Sequence, residues 1–559
     1  MLSEISKSQK IFLMLGVMSA MLLSSLDQTI IATAMPKIVH ELNGLEHLSW
    51  VFTAYLLAST IVVPIAGKIS DIYGRKIFYI VSITIFLLGS ILSGLAQSMT
   101  QLIFFRAIQG IGAGAIMANS FTIVGDLFPP RERGKWQGML GSVFALSSIT
   151  GPMLGGWLTD NASWRWTFFI NMPIGVLALI LVYCLMPKFT SAIKDKIMDY
   201  KGSFTLTIGL ITFLLGFVWG GNQYSWNSIQ IVGLFIISII SFFAFVRIER
   251  KAKEPILPLS LFQNSIFSVS ILIVFLIAMG MFGAILYIPI FAQVVLGVSA
   301  TSSGTMLTPM MLSNVFASVI AGQIISRTGK YKLLTIFSLT IILIALLLLS
   351  MISYETTRTE LILESMFLGM GIGVGFPVFA IAVQNAFEYS KLGVATASTQ
   401  LFRSIGGTVG VAIMGTILNN SLSSKLSVLS SESFVQNLSK FNINLGTSGI
   451  DINRLQDITS AATKVQFLKD ISGLPLVVRS EMLQAFSKFN TEISQILASS
   501  IANIFLISFF LTLIAFVAAF FLREIPLRKS HVHKPILEKA GIEIAVEEGD
   551  FRAKDTPRI

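Results

Sequence analysis

The chain has 559 residues, 54% of them hydrophobic and 12% charged, with a mean hydropathy of +0.78. A soluble domain carries about 25% charged residues, so a water-soluble globular fold is excluded. The formal charge of +11 points to no nucleic-acid partner, since Lys and Arg also mark the cytoplasmic loops of membrane proteins, and the single cysteine, Cys184, excludes an intrachain disulfide and a cysteine-based metal site.

Lys7 and Lys10 precede an apolar run at 11–34 that ends in Ala32-Thr33-Ala34, the outline of a cleavable signal. The run is longer than the about 7–15 apolar residues of a signal peptide and reads instead as a first transmembrane helix. Further apolar runs follow near 48–69, 77–97, 102–124, 136–158, 164–187, 203–221, 229–247, 266–292, 302–326, 332–352, 359–386, 394–418 and 497–522. A helix crosses the hydrocarbon core with about 20 apolar residues, so the prediction is an all-α integral membrane protein of fourteen spans.

An even number of spans puts both termini on one side. The breaks 67–76, 130–135, 187–202, 247–253, 327–332 and 387–393 hold eighteen Lys and Arg, while the opposite breaks, the long one at 419–496 aside, hold Lys37, Arg165 and Arg358. The positive-inside rule then places both termini in the cytoplasm. Residues 419–496 lie outside, and their apolar positions Val477, Met482, Leu483, Phe486, Phe489, Ile493 and Ile496 fall at helical spacing. Helices packed on the outer face or lipid surface are expected there, with a flexible tether as the alternative. The polar tail from Arg523 is expected to be a poorly ordered cytoplasmic end.

An internal repeat is visible. GKISDIYGRK at 67–76 and GQIISRTGKY at 322–331 share Gly67/Gly322, Gly74/Gly329 and a base after the second glycine, Arg75/Lys330. Each follows the second span of a six-span group if 203–247 is an inserted pair, and transporters are often built from duplicated halves. The expected organisation is a six-helix bundle at 1–200, an inserted pair at 201–250, five further helices at 251–420, an extracellular partly helical insertion at 421–496, the last span at 497–524 and a tail at 525–559.

Four stretches carry chemistry. In GKISDIYGRK, Gly67 and Gly74 suit a tight turn or close helix contact; Asp71 can face a helix N-terminus or a cation, and Arg75 and Lys76 can bind acids or lipid phosphates. In LIFFRAIQGIGAGAIM at 102–117, Arg106 is a buried guanidinium that needs a partner unless it snorkels to headgroups, and Gly110, Gly112 and Gly114 allow close helix packing. In GPMLGG at 151–156, Pro152 bends a helix and Gly151, Gly155 and Gly156 admit a neighbour. In LSSLDQTIIATAMPKI at 23–38, Asp27 has no Lys or Arg within nine residues on either side.

These stretches resemble known motifs. GKISDIYGRK is similar to the G-x-x-x-D-x-x-G-R-K loop of the major facilitator superfamily, Arg106, Gln109 and Gly110 to its R-x-x-Q-G motif, and GPMLGG to its antiporter signature. LDQTIIATAMPKI, WRWTFFINMPIG at 164–175 and QLFRSIGGTVGVAI at 400–413 resemble the first, sixth and thirteenth helices of its fourteen-helix drug:proton antiporters, the EmrB/QacA-type branch. The resemblance covers about 10–420 and 497–527 and implies two six-helix bundles with two inserted helices.

It also implies proton-coupled efflux of lipophilic, cationic drugs or toxic compounds from a bacterial cell by alternating access. Asp27 is the expected proton site, with Arg106 at a similar depth; a permanent Asp27–Arg106 pair locking two helices is the alternative. Glu364 and Gln109 are expected to contact substrate, Glu364 being alternatively a second proton site or an interfacial carboxylate one turn inward of Glu360. Gly67, Asp71, Gly74, Arg75 and Lys76 with Asp126 and Arg131 are expected as a cytoplasmic gate, Asp126 pairing with Arg75 or Arg131. Ser326 stands where the second repeat would need its Asp71, which predicts a weaker latch there. The tenth and thirteenth spans contain no Asp or Glu, which favours monocationic or neutral amphiphiles.

Other classes fit less well. The Gly-Lys pairs at 67, 134 and 329 have Val62, Pro129 and Ile324 where a phosphate-binding loop needs its first glycine. His40, His47, His531 and His533 all lie outside the spans, so neither an enzyme nor a metal site is expected. No cofactor is expected, the proton gradient supplying energy. The expected partners are small lipophilic substrates, protons and membrane lipids, with the chain acting as a monomer. The rival reading is export of an endogenous lipid or amphiphilic metabolite.

Overall fold

The computed structural model describes residues 6–42, 48–187, 198–221, 223–298, 300–388, 391–429 and 476–527. Among these, fourteen helices are long and apolar enough to cross a membrane. The first half comprises α1 (Lys7–Leu42), α2 (Leu48–Tyr73), α3 (Arg75–Gly94), α4 (Met99–Leu127), α5 (Pro130–Asn161), the short α6 (Trp166–Phe169) and α7 (Asn171–Leu185). A hairpin of α8 (Tyr200–Trp219) and α9 (Ile229–Glu249) follows. The second half comprises α10 (Ser265–Val294), the short α11 (Ala300–Met306), α12 (Thr308–Thr328), α13 (Lys332–Leu349), α14 (Arg358–Ala386), α15 (Leu392–Leu429) and α16 (Leu476–Phe520).

Local chemistry sets many of these ends. The side chains of Ser98, Asp199, Ser228, Asn264 and Thr357 accept first-turn backbone N–H groups at the starts of α4, α8, α9, α10 and α14, satisfying donors that have no partner within the helix. The sixth and tenth predicted spans are each interrupted, between α6 and α7 and between α11 and α12. Pro173 and Pro309 lie just beyond the two breaks and cannot donate to the carbonyl four residues back.

Two of the three basic residues at the charge-poor end also have local duties. Lys37 Nζ donates to Thr159 O at 2.5 Å in the last turn of α5, and Arg165 Nη1 donates to Gly94 O and Ala96 O at 3.2 and 2.7 Å at the end of α3. A cation at a helix C-terminus stabilises its exposed carbonyls, so these exceptions to the basic-side pattern are helix caps.

Each half has its own core. Leu13, Val17, Tyr79, Phe86, Ile116 and Val182 are buried together in the first, and Phe291, Met310, Leu346, Leu368, Leu418 and Phe505 in the second. The α8–α9 hairpin lies outside both, with Ile229, Ile239, Ile240 and Phe243 of α9 all exposed. Its inner contacts include Trp219 against Trp50 of α2, ring centroids 5.6 Å apart, Trp226 Nε1 donating to Thr416 Oγ1 of α15 at 3.2 Å, and Leu206, Leu210 and Phe245 buried with Ile61 and Ala66 of α2 and Ala397 of α15. A helix hydrophobic all round belongs in lipid or a core, and α9 buries only Ile231, Ser238, Phe245 and Glu249.

The first run predicted at 11–34 continues as helix to Leu42, because Ile31, Ala34, Met35 and Ile38 are buried against Val51, Met99, Leu102 and Trp164. The last part of the expected outer insertion, residues 476–496, is also helical. α16 runs without a break from Leu476 into the last span, across the expected boundary at 496–497, with Ile493 and Leu497 buried beside Leu418 and Leu422 of α15 and the Ser421 and Ser500 hydroxyls 2.8 Å apart. Residues 430–475 and 528–559 lie outside the described residues, as do the side chains of Val477, Met482 and Phe489.

The halves meet most closely at the end that carries the two repeat turns, the basic end. Gly74 and Gly329 have φ of 97° and 70°, the left-handed backbone that glycine adopts without a Cβ clash. The first repeat glycines pair across the halves in the same sense. A Cβ on Gly67 would sit 2.6 Å from Ala397 Cβ of α15, and a Cβ on Gly134 of α5 would sit 2.6 Å from the Gly322 carbonyl oxygen of α12. The duplication read in the sequence is therefore a duplicated helix crossing.

Candidate functional site

Asp27 and Arg106 form an ion pair between α1 and α4, both buried. Asp27 Oδ1 also accepts from Gln109 Nε2 at 2.8 Å and from Asn171 Nδ2 at 3.3 Å. Arg106 Nη1 donates to Gln109 Oε1 at 2.9 Å, Nε donates to Val51 O at 3.4 Å, and the guanidinium lies 4.2 Å from the Tyr55 ring centroid. Tyr55 Oη is anchored on Ser24 O at 2.9 Å, and Asn171 Nδ2 also reaches Ser90 Oγ at 2.9 Å. Five helices thus supply one polar cluster. Bringing two charges out of water is costly unless both are paired and further hydrogen bonds complete their shells, and here both conditions are met.

A second cluster closes the basic end. Arg75, at the start of α3, pairs with Asp71 of α2 and holds Asp126 Oδ2 of α4 at 2.8 Å. The Asp71 carboxylate lies against Gly393 in the first turn of α15, where a helix N-terminus favours negative charge. Lys68 Nζ meets Glu254 Oε2 at 2.6 Å in the segment after α9. Gln384 of α14 donates to Phe121 O of α4 and to Thr396 Oγ1 of α15, both at 3.2 Å, and accepts from Gln137 Nε2 of α5 at 3.0 Å. Arg133 donates to Gly125 O and Phe128 O at 2.8 and 3.0 Å, capping α4.

The second repeat is fastened differently. Glu524 Oε1, just after α16, accepts from the backbone N–H groups of Tyr331 and Lys332 at 2.8 and 3.2 Å, and Tyr331 Oη donates to Arg523 O at 2.9 Å. Burial raises the Tyr331 phenol above its usual range, so it remains a donor. Ser326 is half-buried and hydrogen-bonds within its own helix, to Gln323 O at 3.0 Å.

Between the halves lies a cavity lined by Ala118 and Phe121 of α4 and by residues of α10, α13, α14 and α15, among them Phe379, Thr396, Thr399, Gln400 and Arg403. It holds about 80 Å³ of free space, less than the roughly 150 Å³ that admits benzene. A larger ligand enters only when the helices separate. Gln384 does not line it but hydrogen-bonds two residues of its wall, Phe121 and Thr396.

The residues singled out in the sequence divide into four groups. Asp27, Arg106 and Gln109 form one cluster; Gln109 touches Asp27 and is absent from the cavity lining. Asp71, Arg75 and Asp126 form another, with Gly67 in the adjoining crossing, whereas Lys76 lies 5.5 Å from the Tyr183 ring centroid. Gly151 and Gly155 receive Thr29, Thr33 and Ile30 of α1, and Gly156 faces open space. Glu364 is half-buried with one oxygen lacking a hydrogen-bond partner and does not line the cavity, and Glu360 closes a capping box with Thr357. The side chains of Arg131 and Pro152 lie outside the described residues.

Sequence reasoning assigned no role to Asn171, Tyr55 or Gln384. Asn171 stands in FINMPIG, a lone amide after an aromatic run, and its polarity was the one available signal. Tyr55 and Gln384 carry none, because a tyrosine or glutamine in a span is ordinary until a charged partner is seen.

The Major Facilitator Superfamily sequence model matches residues 17–411. Multidrug transporter protein MdtP of Bacillus subtilis (strain 168) is 42% identical over 422 residues, 75% of this chain and 77% of that protein. Multidrug resistance protein 3 of the same strain is 43% identical over 415 residues, 74% of this chain and 81% of that protein. The crystal structure of the human organic anion transporter MFSD10 (TETRAN) matches with a TM-score of 0.58 at 14% identity, covering 91% of this chain and 100% of that one, a likeness of fold. With a family match across most of its length and fourteen helices able to cross a membrane, this chain is a multi-pass transporter and belongs to the Major Facilitator Superfamily.

Proposed function

We propose that this protein exports lipophilic drug-like compounds across a bacterial plasma membrane by alternating access, driven by inward proton movement. The relatives named as multidrug transporters support the cargo class, and the observation that carries the mechanism is the course of α4. That one helix bears Arg106 and Gln109 at the Asp27 cluster, Ala118 and Phe121 on the cavity wall, and Asp126 in the Arg75 cluster. Arg106 and Asp126 are 20 positions apart, about 30 Å along a helix. A change at the Asp27 end therefore reaches the cavity and the basic end through a single rigid element.

By the positive-inside argument the sealed basic end faces the cytoplasm, so this conformation is closed inward. Protonation of Asp27 from outside removes the charge that holds Arg106, frees α4 from α1 and permits the basic end to part. Deprotonation toward the cytoplasm restores the pair. Membrane potential contributes roughly 2.3 kcal/mol per charge per 100 mV. The expected preference for cations has one support, the half-buried Glu364 carboxylate, and it lies off the cavity lining.

The test uses everted vesicles acidified inside. Adding a lipophilic dye that is cargo should collapse the proton gradient in wild type and leave it intact in Asp27→Asn; a response persisting in Asp27→Asn removes the role assigned to that carboxylate. The lipid-export reading has one observation of its own, a wide apolar cleft between α8–α9 and α10–α15 lined by Leu210, Phe242, Phe245, Phe262 and Phe402.

A further inference from the structure

Thr396, Thr399, Gln400 and Arg403 stand at i, i+3, i+4 and i+7 on α15, and all four line the cavity between the halves. That spacing is one face of a helix, so the second half offers the cavity a polar stripe ending in a guanidinium. The rest of the lining is apolar, chiefly Phe121, Phe379, Ile277 and Met281. Arg403 is the twelfth residue of the 31-residue span Leu392–Leu422, well away from either end. A guanidinium at such depth is expensive and faces a protein interior or a cavity.

Its sign is the informative feature. Among the described residues no Asp or Glu lines the cavity, and α10, α13 and α15 contain none at all. The acids on the two remaining lining helices are placed elsewhere: Asp126 of α4 is held by Arg75, and Glu360 and Glu364 sit in the first two turns of α14, with Ile372, the nearest lining residue, eight positions further on, about 12 Å along the helix. Asp27 is committed to Arg106, Gln109 and Asn171, and Arg106 itself lies 12 positions before Ala118, about 18 Å along α4. Among the described residues, the formal charge lining the cavity is the positive one of Arg403.

We propose that this cavity recognises the anionic head of an amphiphile, a carboxylate or sulfonate on an aromatic or branched apolar body, with Arg403 as the charge partner and Gln400 as a flanking donor. Guanidinium presents a planar fork of N–H donors that matches a carboxylate in two parallel hydrogen bonds. The apolar wall of Phe121, Phe379, Ile277 and Met281 takes the body. This refines the export reading by naming the cargo's charge, and it rests on the cavity being the transport site.

The test is equilibrium binding to the purified full chain in nanodiscs of neutral phosphatidylcholine, with no gradient. The probes share one ring system and differ in sign: 9-anthracenecarboxylate and 9-(aminomethyl)anthracene. Wild type should bind the anion at least tenfold more tightly than the cation. Arg403→Gln should weaken the anion at least tenfold and change the cation less than twofold; Arg403→Lys, which keeps the charge without the fork, should fall between. Should Arg403→Gln fail to fold, Arg403→Lys and Gln400→Leu carry the test, each expected to weaken the anion threefold or more with the cation unmoved.

Tighter cation binding in wild type, no anion binding in wild type, or equal loss of both probes in the variants overturns the proposal. A lost anion preference with an intact Asp27-dependent vesicle response overturns the anion site and leaves coupled export standing. Anion binding that survives when the vesicle test fails does the reverse.

Discussion

Gly67 of α2 lies against Ala397 of α15 in the same way that its repeat mate Gly322 of α12 lies against Gly134 of α5. Both crossings join the halves at the basic end, so both must separate if that end opens. Gly67→Leu should wedge one crossing apart. Overpacking a tight contact costs about 1–3 kcal/mol, and each 1.4 kcal/mol is roughly tenfold in an equilibrium. The readout is maleimide labelling of Ser318→Cys, buried at the other crossing, in a Cys184→Ser background. Labelling should rise about tenfold and export should fall; unchanged labelling would show that the two crossings open independently.

Truncating the buried acid should cost more than truncating the pair. In Asp27→Ala, Arg106 keeps Gln109 Oε1, Val51 O and the Tyr55 ring but loses its counter-charge, a loss of about 3–5 kcal/mol for a buried pair. Asp27→Ala/Arg106→Leu removes both charges and should recover much of that stability while remaining transport-dead. Thermal unfolding of the four proteins of this cycle in one detergent measures the coupling. A double variant no more stable than Asp27→Ala would mean that Arg106 is held chiefly by its other contacts.

Arg75 joins two acids at once, Asp71 on α2 and Asp126 on α4. Lysine is a single point charge and cannot reproduce the fork. Arg75→Lys should therefore give partial opening of the basic end and Arg75→Gln much larger opening, since the latter leaves two carboxylates facing each other. Ser318→Cys labelling should rank wild type, Arg75→Lys and Arg75→Gln in that order. Asp126→Asn should match Arg75→Lys more closely, because Asp71 still holds the arginine.

What was legible in the sequence follows from how far each signal reaches along the chain. The spans and the repeat are properties of single helices, and the structure has them, down to the shared positive φ at Gly74 and Gly329. Contacts between helices were legible only where charge forced a partner, as at Arg75 with Asp126. The third donor to Asp27, Asn171, comes from a helix whose start is set by Pro173, and no spacing along α1 or α4 reveals it. Gln109 fits the motif but serves the carboxylate and not the cavity. Ser326 marks a weaker second latch, while the acid that fastens that turn, Glu524, lies 193 residues beyond the Tyr331 it holds.

The antiporter glycines provide a test within one motif. A Cβ on Gly151 would meet the Thr29 side chain, whose hydroxyl is itself bonded to Ser147 O at 2.9 Å, and a Cβ on Gly155 would meet Thr33 and Ile30. Nothing lies within 4 Å of a Cβ on Gly156. Gly151→Ala and Gly155→Ala must push α1 from α5, and with it Asp27 from Arg106, which should cost about 1–3 kcal/mol and at least tenfold in export rate. Gly156→Ala should fall within about 0.5 kcal/mol of wild type, as open sites do, or gain slightly from helix propensity. Thermal unfolding and dye export on the three single variants decide the matter. Equal damage from Gly156→Ala would place the motif's role in helix bending and not in the α1–α5 contact.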